Sequence, residues 1–176
     1  MKVISVKQPW AYLLCSGIKD IENRTWRLPE KYKGERVLIH ASGTKMKGLE
    51  GDYLNDVQIE YLHCGYTPLK ELHKYYALRN QYSSIIGSVR FVDCVINHES
   101  IWAEKSHYEV NLALHPLRPI YNWVVADPIL FDKPILDVKG KLSFWDYPSP
   151  QCDEACFYHC TKGGQQEPDC IKEKEI

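Results

Sequence analysis

Lys19, Glu22 and Arg24 place two cations and one carboxylate within six residues. Alternation along a strand puts Glu22 and Arg24 on one face, and Lys19, just ahead of that strand, can lean over the same cleft. A lysine in a partly desolvated pocket loses some preference for its charged form, while a nearby carboxylate restores it. Two roles follow: a fixed cation for a phosphate or carbonyl oxygen, or a proton carrier poised near neutral pH. In an enzyme, Lys19 would act as the base with Glu22 or Asp93 as its carboxylate partner. The same three residues also suit an internal ion-pair network that fixes a strand–helix corner, because such networks imitate functional sites.

Gln8 and Trp10 form a second pair. A glutamine amide donates and accepts along the Watson–Crick edge of a base, and a tryptophan face stacks on it. Trp26 offers a further stacking surface, while Trp10 equally suits the apolar face of a short helix. His40 and Ser42 follow the strand Glu35–Ile39; the histidine can exchange protons near neutral pH, or serve as a hydrogen-bonded structural residue. Cys152, Cys156, Cys160 and Cys170 crowd into the C-terminal tail beside His159. The first three are four residues apart and would line one face of a helix. Thiolates favour zinc or iron–sulfur chemistry, although this spacing matches no standard zinc ribbon or finger. Disulfides within the tail and idle thiols are the alternatives. Cys15, Cys64 and Cys94 lie in apolar segments and read as small core residues.

These side chains need a scaffold that 176 residues, 44% of them hydrophobic, can supply as one domain with a single core. Val3 to Lys7 reads as a strand, Pro9 to Leu14 as a short helix, and Gly17 as its C′ residue. Ile21 to Trp26 and Glu35 to His40 read as strands joined by a turn at Lys31–Gly34. In an insertion at about 44–82, Leu49, Tyr53, Leu54, Val57, Tyr61 and Leu62 recur at helical spacing. Thr67–Pro68 resembles the start of a second helix carrying Leu69, Leu72, Tyr75, Tyr76 and Arg79. This insertion either packs on the main body or roofs a cleft. Ser84 to Ile96 is β-rich, and Gly87 within it marks a bulge or a close backbone approach. Residues 98–118 read as irregular or briefly helical, and Tyr121–Val125, Ile129–Phe131 and Lys141–Trp145 as the closing strands. The sum is an α+β protein built on a small barrel.

The formal net charge of -1 excludes a bulk cationic field for long nucleic acids. Residues 1–50 nevertheless carry ten Lys and Arg against five Asp and Glu, whereas residues 91–176 carry eight against fourteen. That split suits a local basic surface near the Ser5–Trp26 stretch, or equally a solvated exterior with chance asymmetry. No run approaches the length of a membrane span, and Lys2 leads straight into a strand without an apolar signal core. The expected location is cytoplasmic, with no membrane partner.

Several of these segments resemble the ASCH domain, a relative of PUA named for its presence in a transcriptional coactivator. Gln8-Pro9-Trp10-Ala11, Gly17-Ile18-Lys19, Ile21-Glu22-Asn23-Arg24-Thr25-Trp26, Tyr32-Lys33-Gly34 and Leu38-Ile39-His40-Ala41-Ser42 stand in the family's order. Ile86-Gly87-Ser88-Val89-Arg90-Phe91-Val92-Asp93-Cys94 resembles its central strand. Trp123-Val124-Val125, Pro134, Lys139-Gly140-Lys141 and Phe144-Trp145 resemble its closing strands. The resemblance implies a small mixed β-barrel of PUA-like type with peripheral helices over residues 1–147, followed by a cysteine-rich tail at 148–176. It also implies that Gln8 and Trp10 line a cleft, and that the domain itself requires no cofactor, leaving zinc to the tail.

The function so implied is binding of RNA, other single-stranded nucleic acid or a modified nucleoside, in RNA metabolism or transcription-linked regulation. Gln8, Trp10, Lys19, Glu22, Arg24, Trp26, His40 and Ser42 are the expected ligand-binding residues. Some relatives are hydrolases, acting on N4-acetylcytidine with a lysine, a threonine and a glutamate, or on RNA. Lys19 resembles that lysine, but Thr25 comes late and Asp93 stands where a glutamate is expected. A protein–protein adaptor, using the insertion and the tail as surfaces, is the third reading.

Overall fold

A computed structural model describes residues 1–45, 53–64, 69–106 and 119–148. Val3, Ile4 and Val6 are buried in β1 (Lys2–Val6), as an interior strand requires. Five of the six residues of α1 (Trp10–Cys15) are buried, and Gly17 ends it at C′ with φ of 79°, the left-handed conformation expected there. β2 (Ile21–Arg24) leads through a short 3-10 helix (Glu30–Tyr32), where a simple turn was expected, into β3 (Arg36–Ala41). α2 (Asp56–His63) opens with a capping box. The Asn55 side chain accepts from the Gln58 N–H at 2.9 Å, and Gln58 Oε1 accepts from the Asn55 N–H at 3.1 Å. α3 (Leu69–Leu78) precedes β4 (Ser84–Val95), β5 (Tyr121–Ile135) and β6 (Phe144–Asp146).

The strands form one mixed sheet in the order β2-β5-β4-β3-β1-β6. β1 runs parallel to β3, and every other neighbouring pair is antiparallel. Register shifts interrupt β4 against both neighbours, and such bulges bend and twist the strand that carries them. The result is a curled half-barrel. Two contacts between strands distant in the sheet order show the curl directly. Arg24 on β2 donates to the carbonyl of Ser5 on β1 at 2.9 Å, and Phe144 on β6 stacks 5.7 Å from Trp123 on β5. Trp26 meets both rings edge-on, at 4.6 Å and 5.8 Å.

α1 packs against β3, β4 and β5 and also meets α3. Tyr12 and Tyr75 rings lie 5.7 Å apart, and Tyr53 meets Trp10 edge-on at 5.9 Å. Leu54, Leu62 and Tyr75 are all buried in the common core. Of the two arrangements expected for the insertion, the described part packs on the barrel. Gly87 is a close approach: a methyl there would stand 2.2 Å from the Ile129 carbonyl oxygen and 2.7 Å from Cys15 Sγ.

Three expectations are corrected. Tyr121–Val125 and Ile129–Phe131 are one strand, because the irregular φ of 47° at Asp127 is absorbed as a bulge against β4. The last strand starts at Phe144, which leaves Lys139–Ser143 as a loop. Cys64 is exposed at the end of α2, while Cys15 is buried and Cys94 half-buried. The Thr67–Pro68 helix start, Leu49, residues 107–118 and the tail cysteines Cys152, Cys156, Cys160 and Cys170 lie outside the described residues. The compact unit spans Lys2–Asp146. Among the described residues, no helix is long and apolar enough to cross a membrane.

Candidate functional site

The corner after α1 gathers the three charged residues. The Lys19 N–H donates to the Leu13 carbonyl at 2.9 Å, which turns the chain back beneath the helix. Lys19 Nζ then bonds the Ile21 carbonyl and reaches Glu22 Oε2 at 3.4 Å. Glu22 Oε1 accepts from Arg24 Nη2 at 2.9 Å, as alternation along β2 allows. Lys19 is 2% exposed and Glu22 6%. Burial pushes the Lys19 ammonium below its ordinary range, and the Glu22 carboxylate opposes that shift. Arg24 is the partly exposed member, with its guanidinium 5.9 Å from the Trp123 ring. Its Nη2 also holds the Ser5 carbonyl, and its Nε is buried without a partner among the described residues. The trio is therefore a buried network that ties β2 to β1, with Lys19 enclosed rather than leaning over open space.

On the other side of Ser5 lies a cleft of about 320 Å³ lined by Ser5, His40, Ser42, Gly43, Gly140, Lys141 and Leu142. Ser5 and His40 are register partners on the parallel strands β1 and β3, so their side chains share one face. His40 Nδ1 is 3.1 Å from Ser5 Oγ, and Nε2 is 2.9 Å from the Val138 carbonyl. A carbonyl only accepts, which places the imidazole proton on Nε2. Burial pushes His40 below its ordinary value of 6.5, with the Val138 bond opposing. Trp145 meets its ring edge-on at 5.8 Å. The Ser42 hydroxyl is buried with no hydrogen-bond partner among the described residues. Leu142 stands 94% exposed at the cleft.

The remaining expected residues are placed elsewhere. Gln8 is buried, its Nε2 donating to the carbonyls of Leu78 and Gln81 at 3.2 Å and 2.9 Å while its Oε1 accepts from the Tyr12 N–H at 3.1 Å. That amide joins α1 to the end of α3. Trp10 and Trp26 are half-buried against the common core, Trp10 beside Tyr53 and Trp26 beside Trp123. Asp93 is half-exposed and bonded to Lys33 at 2.8 Å, which holds its carboxyl below the usual range. Lys19 thus has Glu22 as its carboxylate partner, and Asp93 is engaged with another lysine. Among the described residues no three His, Cys, Asp or Glu side chains could hold a metal ion.

Ser5, Gly140 and Leu142 are cleft residues that sequence reading did not single out as functional. Lys139-Gly140-Lys141 stood out as a motif, but as part of a strand. The parallel pairing that sets Ser5 beside His40 joins residues 35 apart, and no local pattern announces it.

The ASCH domain family model matches residues 4–135. Among solved structures, the crystal structure of ASCH from Zymomonas mobilis is 15% identical. It covers 84% of this chain and 87% of that one, with a TM-score of 0.47. A tyrosine-to-phenylalanine and a serine-to-alanine mutant of the Zymomonas mobilis protein are each 17% identical over 77% of this chain. They cover 74% and 73% of their own chains, both with a TM-score of 0.41. No curated protein matches the chain. The family match runs from within β1 to the end of β5, including α1, the buried charged corner and the His40 strand, and the chain belongs to the ASCH domain family.

Proposed function

We propose that this ASCH domain binds RNA, or a modified nucleoside or nucleotide, in the cleft beside Ser5. The family is associated with RNA binding. The observation that carries the reading is a cleft of about 320 Å³ lined by Ser42, whose buried hydroxyl has no partner among the described residues. Pockets for small ligands start at about this size, and an unmet buried hydroxyl costs about 1–3 kcal/mol, which a ligand hydrogen bond relieves. Ser5 and Ser42 offer hydroxyls to a base edge, His40 holds Ser5 from behind, and Leu142 offers apolar contact. Lys141 supplies a cation for phosphate. Arg24, Glu22 and Lys19 act behind the cleft by holding β1 in place.

With few cations at the cleft, affinity for long RNA is modest and falls with salt. Titration of a fluorescently labelled single-stranded RNA, followed by anisotropy at low salt, tests this. A saturating rise is expected. Lys141→Ala should weaken binding and make the slope of log K against log salt shallower by about 0.7, the loss of one phosphate contact. If neither the RNA nor free modified nucleosides bind, the reading fails.

A further inference from the structure

The cleft contains a hydroxyl, a base and a group that orients the base, and their hydrogen-bond inventory leaves one arrangement. His40 Nε2–H is committed to the Val138 carbonyl, so Nδ1 carries a bare lone pair. Ser5 Oγ lies 3.1 Å from Nδ1 and also 3.1 Å from the Lys141 carbonyl. One hydroxyl proton serves only one of them. The Lys141 carbonyl belongs to an exposed residue and can take water instead. Nδ1 belongs to a side chain 1% exposed, where an unmet acceptor costs about 1–3 kcal/mol. The proton therefore points to His40, and the remaining lone pairs of Ser5 Oγ are free to face the cleft.

We propose that Ser5 is a nucleophile activated by His40, and that the cleft transfers the acyl group of a small carboxylic ester to water. Nucleophile bonded to base, and base oriented by a third group, is the constellation that covalent acyl transfer needs. Here the third group is the Val138 carbonyl. Burial keeps His40 neutral and able to accept a proton. Gly140 positions the pair: a methyl there would stand 2.5 Å from His40 Cε1 and 3.0 Å from Ser5 Oγ, so only a glycine lets the loop lie over it. Lys141, on the cleft wall, supplies positive charge for the developing oxyanion.

In the reaction, Ser5 Oγ attacks the ester carbonyl carbon as its proton passes to His40 Nδ1. The tetrahedral adduct collapses, the alcohol leaves with that proton, and the acyl group stays on Ser5. A water then attacks the acyl carbon and gives its proton to Nδ1. That proton returns to Ser5 Oγ as the carboxylic acid departs. Water is the only co-reactant.

The test is covalent labelling of the full chain with a fluorophosphonate, followed by intact mass and peptide mapping, alongside hydrolysis of p-nitrophenyl acetate. One adduct on the peptide containing Ser5 is expected, absent in Ser5→Ala. His40→Gln should slow labelling by about 100-fold or more, the usual contribution of a general base. Gly140→Ala must shift the loop off His40 and Ser5, so it should label roughly 100-fold more slowly through misplacement of the pair, with its unfolding midpoint measured alongside so that the loss is read on folded protein. No adduct on the parent protein, or an adduct that survives in Ser5→Ala, overturns the proposal. The inference uses the cleft of the RNA-binding reading but not its ligand. Labelling without RNA binding would sink that reading alone, and RNA binding without labelling would sink this one alone.

Discussion

Lys19 shows how residue type and spacing can identify a site yet leave its role open. Lys19 and Glu22 are as close as their spacing implied, but the carboxylate and the Ile21 carbonyl enclose the ammonium. A buried ion pair is a weak source of net stability, whereas breaking one by removing a partner leaves an uncompensated charge. Lys19→Ala leaves the Ile21 carbonyl without its ammonium and Glu22 with Arg24 as its cation, and should destabilise the fold by about 1–3 kcal/mol, read from urea denaturation. If the protein hydrolyses an ester through Ser5, folded Lys19→Ala should keep the fluorophosphonate adduct. Loss of labelling with unchanged stability would instead make Lys19 part of the chemistry.

Among the elements, β4 is the one on which the sheet's shape depends. Its position in the sequence and the special status of Gly87 were legible, because β-branched residues run on both sides of the glycine. The partners of that glycine were not, since Ile129 and Cys15 come from β5 and α1. Gly87→Ala forces a methyl against a backbone oxygen, which a side-chain rotation cannot relieve. It should cost about 1–3 kcal/mol or more, as overpacking does, with the midpoint of urea unfolding falling accordingly. A midpoint unchanged by the substitution would mean that β5 is free to shift away. The strand expected from Lys141 to Trp145 loses its first three residues to the loop Lys139–Ser143. Only its approach over His40 and Ser5 shows why Gly140 stands there.

For the whole molecule, the pH dependence of stability follows from the groups that folding shifts. His40 titrates lower in the folded protein than its ordinary 6.5 because it is desolvated. Just below pH 6.5 the unfolded chain therefore binds more protons than the folded one. Stability should fall as pH drops from 6.5 toward the folded value, by at most about 1.4 kcal/mol per pH unit for one proton, and then level off. Asp93 and Asp146 are lowered by Lys33 and Lys2, so their contributions are lost only in the more acidic carboxylate range. Denaturant midpoints measured from pH 7.5 to 4.5 should show the first decline, and His40→Gln should flatten it. A decline that persists in His40→Gln would assign it to other groups.

The chain's own order of residues determined the strand–helix–strand opening, the left-handed Gly17, the α+β class and the family, because these rest on local propensity, capping and motif order. It also brought Lys19, Glu22 and Arg24 together, since six residues leave them little freedom. Tertiary structure decided what those residues face. Curling brings β2 against β1, so Arg24 grips the Ser5 carbonyl, and Phe144 closes on Trp123. It enclosed Gln8, whose amide partners come from about 70 residues away. It also set Ser5 beside His40 through a parallel pairing of β1 and β3. Contacts between strands distant in sequence depend on register and curvature, and neither is written in any one segment of the chain.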